Sequence, residues 1–276
     1  MTSLTTTDHD RGSAGLKYVY AVLSRRSGGL SIGINLNPNK ACNWRCIYCQ
    51  VPGLVRGVAP PIDLDLLEAE LDGFLGELAR GERHPGVSLE DIAFSGDGEP
   101  TTSDVFDAAV DVVARVAESF EPARRAQLIL ITNGSLLRRP HVLRGIETMS
   151  RNNGEVWFKL DAGSVSGREA INDTHFSQEH LLGNLSAAAE HCSVRLHTCV
   201  FTLDGEPPDA AACEAYLGLL RTIEDRAIAV AGVTIYGIER PSQQPEAERL
   251  GKVSVVWLDA FADQIRQLGF EVRVHP

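Results

Sequence analysis

The segment Cys42-Asn43-Trp44-Arg45-Cys46-Ile47-Tyr48-Cys49 places three cysteines in one short loop, spaced four and three residues apart. Three clustered thiolates are typical ligands of a soft, iron-rich centre. A structural zinc site is normally closed by four ligands, and a four-iron cluster in an electron carrier by four cysteines. The next cysteine is Cys192, so the loop leaves one coordination position open, as a catalytic metal site requires.

Composition indicates a globular protein from a reducing compartment. With 276 residues, 43% of them hydrophobic, the chain can bury a sizeable core in one large domain or two small ones. Three of its six cysteines lie in one loop, which favours metal chemistry over disulfides, and we expect a cytoplasmic protein. No apolar run approaches the roughly 18–20 residues that span a bilayer, so we expect no membrane association. Residues 1–15 predict a disordered lead-in rather than a secretory signal.

The net charge of −11 argues against a general affinity for polyanions. Nucleic acid is therefore not the expected partner. Three basic doublets leave a local nucleic-acid surface open, although paired charges usually form a solvated face: Arg25-Arg26, Arg124-Arg125 and Arg138-Arg139.

Strand and helix patterns alternate along the chain. Apolar runs predict strands at residues 30–36, 91–95, 127–132, 155–161, 194–203, 228–238 and 270–274. Amphipathic stripes predict a helix from Asp63, one N-capped by Ser103, and others over 138–149, 177–191, 208–223 and 257–268. Six strand–helix units predict a parallel sheet with right-handed crossovers. The pattern alone fits a barrel or a doubly wound open sheet equally well.

Polar residues follow the predicted strands in succession, where a β/α barrel carries its chemistry. We find no internal linker, so we predict one domain over residues 16–276, with 239–251 as a long loop near the barrel mouth. The candidate site residues at the strand ends are Gly96, Asp97, Gly98, Glu99, Asn133, Ser135, Lys159, Asp161, Arg195, His197 and Tyr236.

The cysteine loop resembles the signature of the radical S-adenosylmethionine (SAM) enzymes. The similarity extends over roughly residues 18–245 and is closest to the wybutosine-synthesis-related Fe–S oxidoreductase group. It is carried by the lead-in 24–35 and by residues 95–101, 132–134, 159–162, 235–236 and 240–241. The resemblance implies a partial (β/α)6 barrel and a [4Fe–4S] cluster held by Cys42, Cys46 and Cys49. The amino and carboxylate groups of SAM would chelate the remaining iron.

The Gly96–Thr101 segment resembles the Gly-Gly-Glu-Pro motif of these enzymes, with Asp97 in place of the second glycine. The resemblance implies that backbone carbonyls near Gly96 and Asp97, together with Gly98 and Glu99, receive the amino group of SAM. Glycines suit such a loop because they let the backbone approach a ligand closely. Read without the cysteine loop, the segment would be an ordinary glycine-rich turn.

Four further residues are candidates for contact with SAM. Tyr48 matches the aromatic position that packs near the adenine in relatives. Asn133 and Ser135 offer short polar side chains for the ribose hydroxyls, although Asn133-Gly134 is equally compatible with a plain turn. Lys159, on a strand that we expect to be central, is a candidate partner for the SAM carboxylate.

Substrate contacts are expected from Asp161, Arg195, His197 and Tyr236, provided that the strand parity places them inside the barrel. The three remaining cysteines lie on separate elements and form no compact ligand loop. We expect them to behave as small buried hydrophobes: Cys192, Cys199 and Cys213.

The resemblance implies a radical SAM enzyme, in which a 5′-deoxyadenosyl radical abstracts hydrogen from a small-molecule or peptide substrate. It also implies an external electron donor such as flavodoxin or ferredoxin. Three alternatives remain: a tRNA-base-modifying enzyme of the wybutosine type, an activase that places a glycyl radical on a partner protein, and a non-catalytic metal module. The six strand–helix units argue against the last, because structural zinc modules are small.

Overall fold

The protein is described by a computed structural model that covers residues 15–24 and 28–276. The predicted lead-in lies outside the described residues apart from Gly15, and so do Arg25 and Arg26. The strands are β1 (Val19–Ser24), β2 (Gly29–Ile34), β3 (Ala41–Cys42), β4 (Val55–Arg56), β5 (Leu89–Phe94), β6 (Gln127–Thr132), β7 (Gly154–Lys159), β8 (Ser193–Val200), β9 (Thr202–Leu203), β10 (Gly232–Gly237), β11 (Leu250–Gly251) and β12 (Val272–His275).

Eight helices of the α type connect and cover the strands of the described chain. They are α1 (Leu64–Ala79), α2 (Phe106–Glu118), α3 (Glu121–Arg124), α4 (Pro140–Arg151), α5 (Val165–Asn172), α6 (Gln178–Ala189), α7 (Ala210–Asp225) and α8 (Val255–Arg266). Two short 3-10 helices lie at Pro100–Thr102 and Ala247–Arg249. Among the helices described, none combines the length and apolarity needed to cross a membrane.

One curled sheet of eight strands runs in the order β1-β2-β5-β6-β7-β8-β10-β12. All neighbours are parallel except β1, which pairs antiparallel with β2 at one edge. The arrangement is an open partial barrel, so the predicted barrel is confirmed and the alternative of a doubly wound sheet is excluded. β1 was not predicted from the sequence, because its short apolar run is not followed by a helix.

The core lies between the outer face of the sheet and the helices. Leu30, Ile92 and Leu130, from three neighbouring strands, are 0% exposed and pack in one apolar cluster with helix residues such as Phe106 and Ile146. Because side chains alternate along a strand, the intervening residues face the concave side of the sheet. That alternation makes one face a core and leaves the other for a cavity.

Several local predictions need correction. Ser103 is not the N-cap of α2, which begins at Phe106 with no side-chain cap. Ser103 instead closes the 3-10 turn that starts at Pro100, because its backbone N–H donates to the Pro100 carbonyl. Helices α3 and α5 were not predicted. The predicted loop 239–251 contains a short 3-10 helix and β11, and it does lie beside the cysteine loop.

Candidate active site

A cavity of about 290 Å³ opens on the concave side of the sheet. Cys42, Cys46 and Cys49 lie in its wall together with their sequence neighbours Trp44 and Tyr48. Its lining also includes residues of β1, β5, β6, β7, β8 and β10, among them Tyr20, Asp91, Ile131, Trp157, Cys199 and Tyr236.

Backbone hydrogen bonds from two sides fix the cysteine loop. The N–H groups of Arg45 and Ile47 donate to the carbonyls of Asn172 (3.2 Å) and Ile171 (2.9 Å) at the end of α5. From the other side, the Ser242 hydroxyl donates to the Ile47 carbonyl at 2.7 Å. The loop that carries the thiols is therefore held between α5 and the segment after β10.

Ion pairs between charged side chains also hold the cysteine loop in position. Arg45 makes a two-pronged contact with Glu246, with Nη1 to Oε2 at 2.9 Å and Nη2 to Oε1 at 3.1 Å. Arg56, next to the loop, pairs with Asp173 at 2.7 Å. These pairs are partly exposed, so we expect them to contribute little stability individually and to act mainly on loop position.

The turn that follows β5 packs against the segment that leads into the cysteine loop. Gly96 has φ +142°, and a Cβ at this position would come within 2.4 Å of Asn35 Oδ1. A Cβ on Gly98 would lie 2.0 Å from the Ala41 carbonyl oxygen. The glycines are thus required by contact between two protein segments. Asn35 also pairs with Asp97, donating from Nδ2 to Oδ2 at 2.7 Å.

Glu99 is the buried centre of this turn, with 3% exposure. Oε1 accepts hydrogen bonds from the Thr101 hydroxyl and the Thr132 hydroxyl, both at 2.6 Å, and from the Thr101 N–H at 3.2 Å. Oε2 accepts from the Asn133 N–H at 2.7 Å. Burial raises the pKa of Glu99 above its ordinary value, against the opposing effect of these donors.

Asp161 joins the cysteine loop to β8. Its Oδ2 accepts from the Tyr48 hydroxyl and from Asn172 Nδ2 (2.8 Å), while Oδ1 accepts from the Cys199 N–H at 3.0 Å. Burial, followed by the charge of Asp161, raises the pKa of Tyr48 well above its ordinary value. Asp161 therefore supports the wall of the cavity by holding the tyrosine hydroxyl and two further groups.

Lys159 lies over the Tyr48 ring, with Nζ 4.7 Å from the ring centroid. Burial alone would lower the pKa of Lys159, but the nearby Cys46, Tyr236 and Asp161 together raise it above its ordinary value. The lysine is therefore a cation in the cavity wall.

Asn133 and Ser135 are linked to the cysteine loop through Asn43. Asn133 Nδ2 donates to Asn43 Oδ1 at 2.8 Å, and Asn43 Nδ2 donates to the Ser135 hydroxyl at 2.8 Å. Asn133 lines the cavity, whereas Ser135 is buried behind it. Asn43 was not singled out from the sequence, and its position between two loop cysteines was the available signal.

The predicted substrate residues on β8 and β10 occupy different levels of the barrel. Tyr236 lines the cavity near the cysteine loop. His197 stacks on Trp157 at 4.2 Å between ring centroids. Arg195 is 3% exposed near the start of β8, where it pairs with Glu271 at 3.2 Å. Arg195 thus lies at the strand end remote from the cysteines, and its expected substrate contact remains a prediction.

The cavity wall formed by the described residues thus contains ten of the fifteen predicted site residues. They are Cys42, Cys46, Tyr48, Cys49, Gly96, Gly98, Glu99, Asn133, Lys159 and Tyr236. The other five do not belong to that wall in the described part of the chain: Asp97, Ser135, Asp161, Arg195 and His197. Their ligand contacts remain predictions.

None of the six cysteines forms a disulfide. Cys199, read from the sequence as a small buried hydrophobe, lies in the wall of the same cavity as the loop cysteines. Cys192 lies elsewhere, with Sγ 3.3 Å from the Gly154 carbonyl oxygen, and Cys213 is on α7. The three do not form a second compact ligand set.

The surroundings of the loop cysteines fit an iron–sulfur cluster. Trp44 Nε1 is buried beside them and has no hydrogen-bond partner among the described residues, so a sulfur-rich group in the cavity would supply the missing acceptor. Within residues 15–24 and 28–276, no three Cys, His, Asp or Glu side chains converge to hold a single metal ion.

Burial sets the protonation of two of these thiols. It raises the pKa of Cys42 to about 12, with a further contribution from Glu99, and it also raises the pKa of Cys46. Cys42 and Cys46 are therefore protonated at neutral pH in the metal-free chain, and metal binding must release their protons.

Comparisons with known proteins show what this chain resembles in sequence and in fold. No protein-family model matches the chain. Curated relatives named UPF0026 protein include one from Helicobacter pylori, 24% identical over 225 residues, which cover 80% of this chain and 66% of the relative. Another, from Methanocaldococcus jannaschii, is 30% identical over 154 residues, or 56% of this chain and 43% of the relative. The chain thus spans about two thirds of the Helicobacter relative.

The similar solved structures include a radical SAM enzyme. A radical SAM methyltransferase from Sphaerobacter thermophilus has TM-score 0.60 and 16% identity, covering 93% of this chain and 69% of that one. TYW1 with a lysine–pyruvate adduct bound has TM-score 0.57 and 14% identity, covering 86% and 73%. HydG, a maturase of the [FeFe]-hydrogenase, has TM-score 0.55 and 11% identity, covering 85% and 48%. The predicted resemblance to radical SAM enzymes is confirmed for the fold.

Proposed function

We propose that this chain is a radical SAM enzyme, in which Cys42, Cys46 and Cys49 hold a [4Fe–4S] cluster that reductively cleaves SAM. The observation that carries the proposal is the common cavity of the three thiols, Glu99 and Lys159, inside a partial barrel shared with radical SAM enzymes. A shared fold alone would not assign this chemistry. The cysteine spacing and the position of the loop after the first parallel strand are the further support for radical SAM chemistry.

A [4Fe–4S] cluster held by Cys42, Cys46 and Cys49 would supply the electron for reductive cleavage of SAM to methionine and a 5′-deoxyadenosyl radical. The protein provides charge and position for the amino-acid end of SAM. The cationic Lys159 suits its carboxylate, and Glu99 with the Gly96–Gly98 turn suits its amino group. Trp44 and Tyr48, both nearly fully buried, exclude water from the thiols.

The rest of the cavity supports a small substrate. Its wall has an apolar part, Ala93, Ile131 and Trp157, and a hydroxyl-bearing part that includes Ser31 and Ser95. The whole cavity, which SAM would share with the substrate, has a volume of about 290 Å³, at the lower end for small-molecule sites. We propose hydrogen abstraction from a small molecule or from one residue of a peptide.

The proposal requires a one-electron donor such as flavodoxin or ferredoxin. It also requires a reducing compartment, since an oxygen-sensitive centre would be held by free thiols. None of the six cysteines forms a disulfide, in keeping with the cytoplasm as the proposed location.

A second candidate function is tRNA-base modification, which the fold similarity to TYW1 favours. The net charge of −11 opposes it, because tRNA binding depends on cationic side chains. Salt-dependent binding of tRNA at low micromolar concentration would support this candidate. Absence of binding at low salt would remove it.

The deciding experiment is SAM cleavage under anaerobic conditions. The protein is reconstituted with iron and sulfide, reduced with dithionite and supplied with SAM, and 5′-deoxyadenosine is followed by chromatography. The variant with Cys42, Cys46 and Cys49 changed to Ala should lose iron and product. Cys192→Ala is the matched control, since this buried cysteine lies outside the cavity wall.

Product that depends on the loop cysteines, but not on Cys192, would establish radical SAM chemistry. A triple variant that retained wild-type iron and activity would contradict the assignment. The same would follow if the reconstituted wild-type protein bound neither iron nor SAM.

A further inference from the structure

We infer that Asn172 sets the reduction potential of the cluster by donating a hydrogen bond to the Cys46 sulfur, an inference that rests on the proposed function. Asn172 Nδ2 lies 3.3 Å from Cys46 Sγ. Both residues are buried, with Asn172 1% and Cys46 9% exposed. Asn172 is a positioning residue in this role, because it acts through a cluster ligand.

The end of α5 fixes the asparagine relative to the cysteine. The helix stops at Asn172 because Asp173 takes a left-handed conformation, φ +52°, with its N–H bonded to the Glu169 carbonyl. The Asn172 carbonyl accepts from the Arg45 N–H, immediately before Cys46. The two residues are thus tied by backbone contacts that do not depend on the side-chain hydrogen bond.

Asp161 determines which way the amide faces. Asn172 Nδ2 also donates to Asp161 Oδ2 at 2.8 Å. A side-chain amide has two N–H donors on its nitrogen, and here both have acceptors, one oxygen and one sulfur. The opposite orientation would put the amide oxygen against a carboxylate, so the network selects the donor orientation. Tyr48 and the Cys199 N–H hold the carboxylate itself in place.

The electrostatic effect follows from the burial of the pair. Reduction adds negative charge to a cluster and its thiolates, and hydrogen bonds to the sulfurs are one of the factors that set its potential. A donor to sulfur stabilises the reduced form more than the oxidised form, and low polarity strengthens the effect. In the described part of the chain, Asn172 is the one side-chain donor that reaches a loop cysteine sulfur.

The test is a redox titration of reconstituted protein without SAM, monitored by the electron paramagnetic resonance signal of the reduced cluster. Asn172→Leu keeps the branched shape of the side chain and removes both donors. We expect the ratio of reduced to oxidised cluster at a fixed solution potential to fall about tenfold, which is about 59 mV for one electron. Asn172→Ala is the second variant, in case the leucine does not fit.

Asn184→Leu is the matched control. Asn184 is also a buried asparagine on a helix, but it donates to the Ser135 carbonyl at 3.1 Å and not to a sulfur. We expect its midpoint potential to equal that of the wild type. A general loosening of the structure would move both variants, whereas a hydrogen bond to Cys46 moves only the Asn172 variants.

Each other outcome counts against the inference. An unchanged potential in an Asn172 variant that holds its cluster would overturn it and leave the proposed function intact. Loss of the cluster from both Asn172 variants, with Asn184→Leu fully loaded, would show a role in assembly and overturn the inference as stated. A wild-type protein that forms no [4Fe–4S] cluster would overturn the proposed function together with the inference.

Discussion

Replacement of Gly98 by Ala is expected to displace the cysteine loop. The added Cβ would lie 2.0 Å from the Ala41 carbonyl oxygen and 2.8 Å from Asn37 Cβ, and contacts under 3.0 Å essentially never occur. At least about 1 Å of movement is needed, since 3.0 − 2.0 = 1.0 Å. The obstructing atom belongs to the backbone one residue before Cys42, so the strain cannot be relieved by a side-chain rotation.

The cost can be estimated from the groups that would move. Overpacking of a buried site costs about 1–3 kcal/mol. Displacement of Ala41 also strains the hydrogen bond from Asn37 Nδ2 to its carbonyl, 2.9 Å, which contributes about 1 kcal/mol. We expect the free energy of unfolding to fall by about 3 kcal/mol in Gly98→Ala. Because Ala41 precedes Cys42, iron retention should fall as well.

Urea unfolding of the metal-free protein, followed by far-ultraviolet circular dichroism, measures the stability, and iron analysis after reconstitution measures the loop. Gly218→Ala is the control: it lies within α7 with no heavy atom within 4 Å of the added carbon. That change should stabilise the protein by about 0.5–1 kcal/mol, since alanine favours a helix over glycine. A Gly98→Ala protein within about 0.5 kcal/mol of the wild type, with normal iron content, would refute the packing argument.

Three further predictions concern buried titratable groups. Asp161→Ala removes the acceptor of three hydrogen bonds, so the free energy of unfolding should fall by about 3 kcal/mol in urea titrations and the cluster should be lost more readily to a chelator. Burial raises the pKa of Glu99 above its ordinary value of 4.5. The stability that Glu99 contributes is therefore fully present below pH 4.5 and is lost as the pH rises through the folded-state pKa. The free energy of unfolding of the wild type should therefore fall relative to that of Glu99→Gln between pH 4 and pH 7 in urea titrations. Burial raises the pKa of Cys192 to about 11, so iodoacetamide should alkylate it at least about tenfold more slowly at pH 8 than in the unfolded chain, as measured by peptide mass spectrometry.

Each of these predictions has a contrary result. Equal stability of Asp161→Ala and the wild type would show that its three partners are satisfied without it. If the wild type gained stability relative to Glu99→Gln as the pH rose, the assigned direction of the Glu99 pKa shift would be wrong. Alkylation of Cys192 at the rate of the unfolded chain would show that its thiol is accessible.

The sequence predicted most of the elements that build the barrel. The strand at residues 127–132 coincides with β6, because a continuous apolar run between polar turns is a strong local signal. Ser177 was predicted as a helix start and is the N-cap of α6, accepting from the His180 N–H. Ser103 failed as an N-cap because Pro100 and Glu99 organise a 3-10 turn at this point. Local propensity is a weak guide where such a turn competes with the helix.

Among the candidate site residues, too, those with a local sequence signal were predicted and those without one were missed. Cys42, Cys46, Cys49, Glu99 and Lys159 were found because a short spacing or a strand end marks them. Asn43 and Asn172 were missed, since a single asparagine in a helix or loop carries no periodic signal. Arg195 was expected at the cavity from strand parity, which fixes the face of the sheet but not the height along the strand.

The sequence by itself therefore determined the cysteine loop, the alternation of strands and helices and the strand ends that carry polar groups. These features are local, because each depends on residues a few positions apart. Only the tertiary structure decided that the sheet curls into an open barrel with an antiparallel edge strand and that Gly98 must lie against Ala41. It also placed Asp161 and Asn172 against Tyr48 and Cys46. Contacts between residues more than a hundred positions apart follow from the register and curvature of the whole sheet, which no short segment specifies.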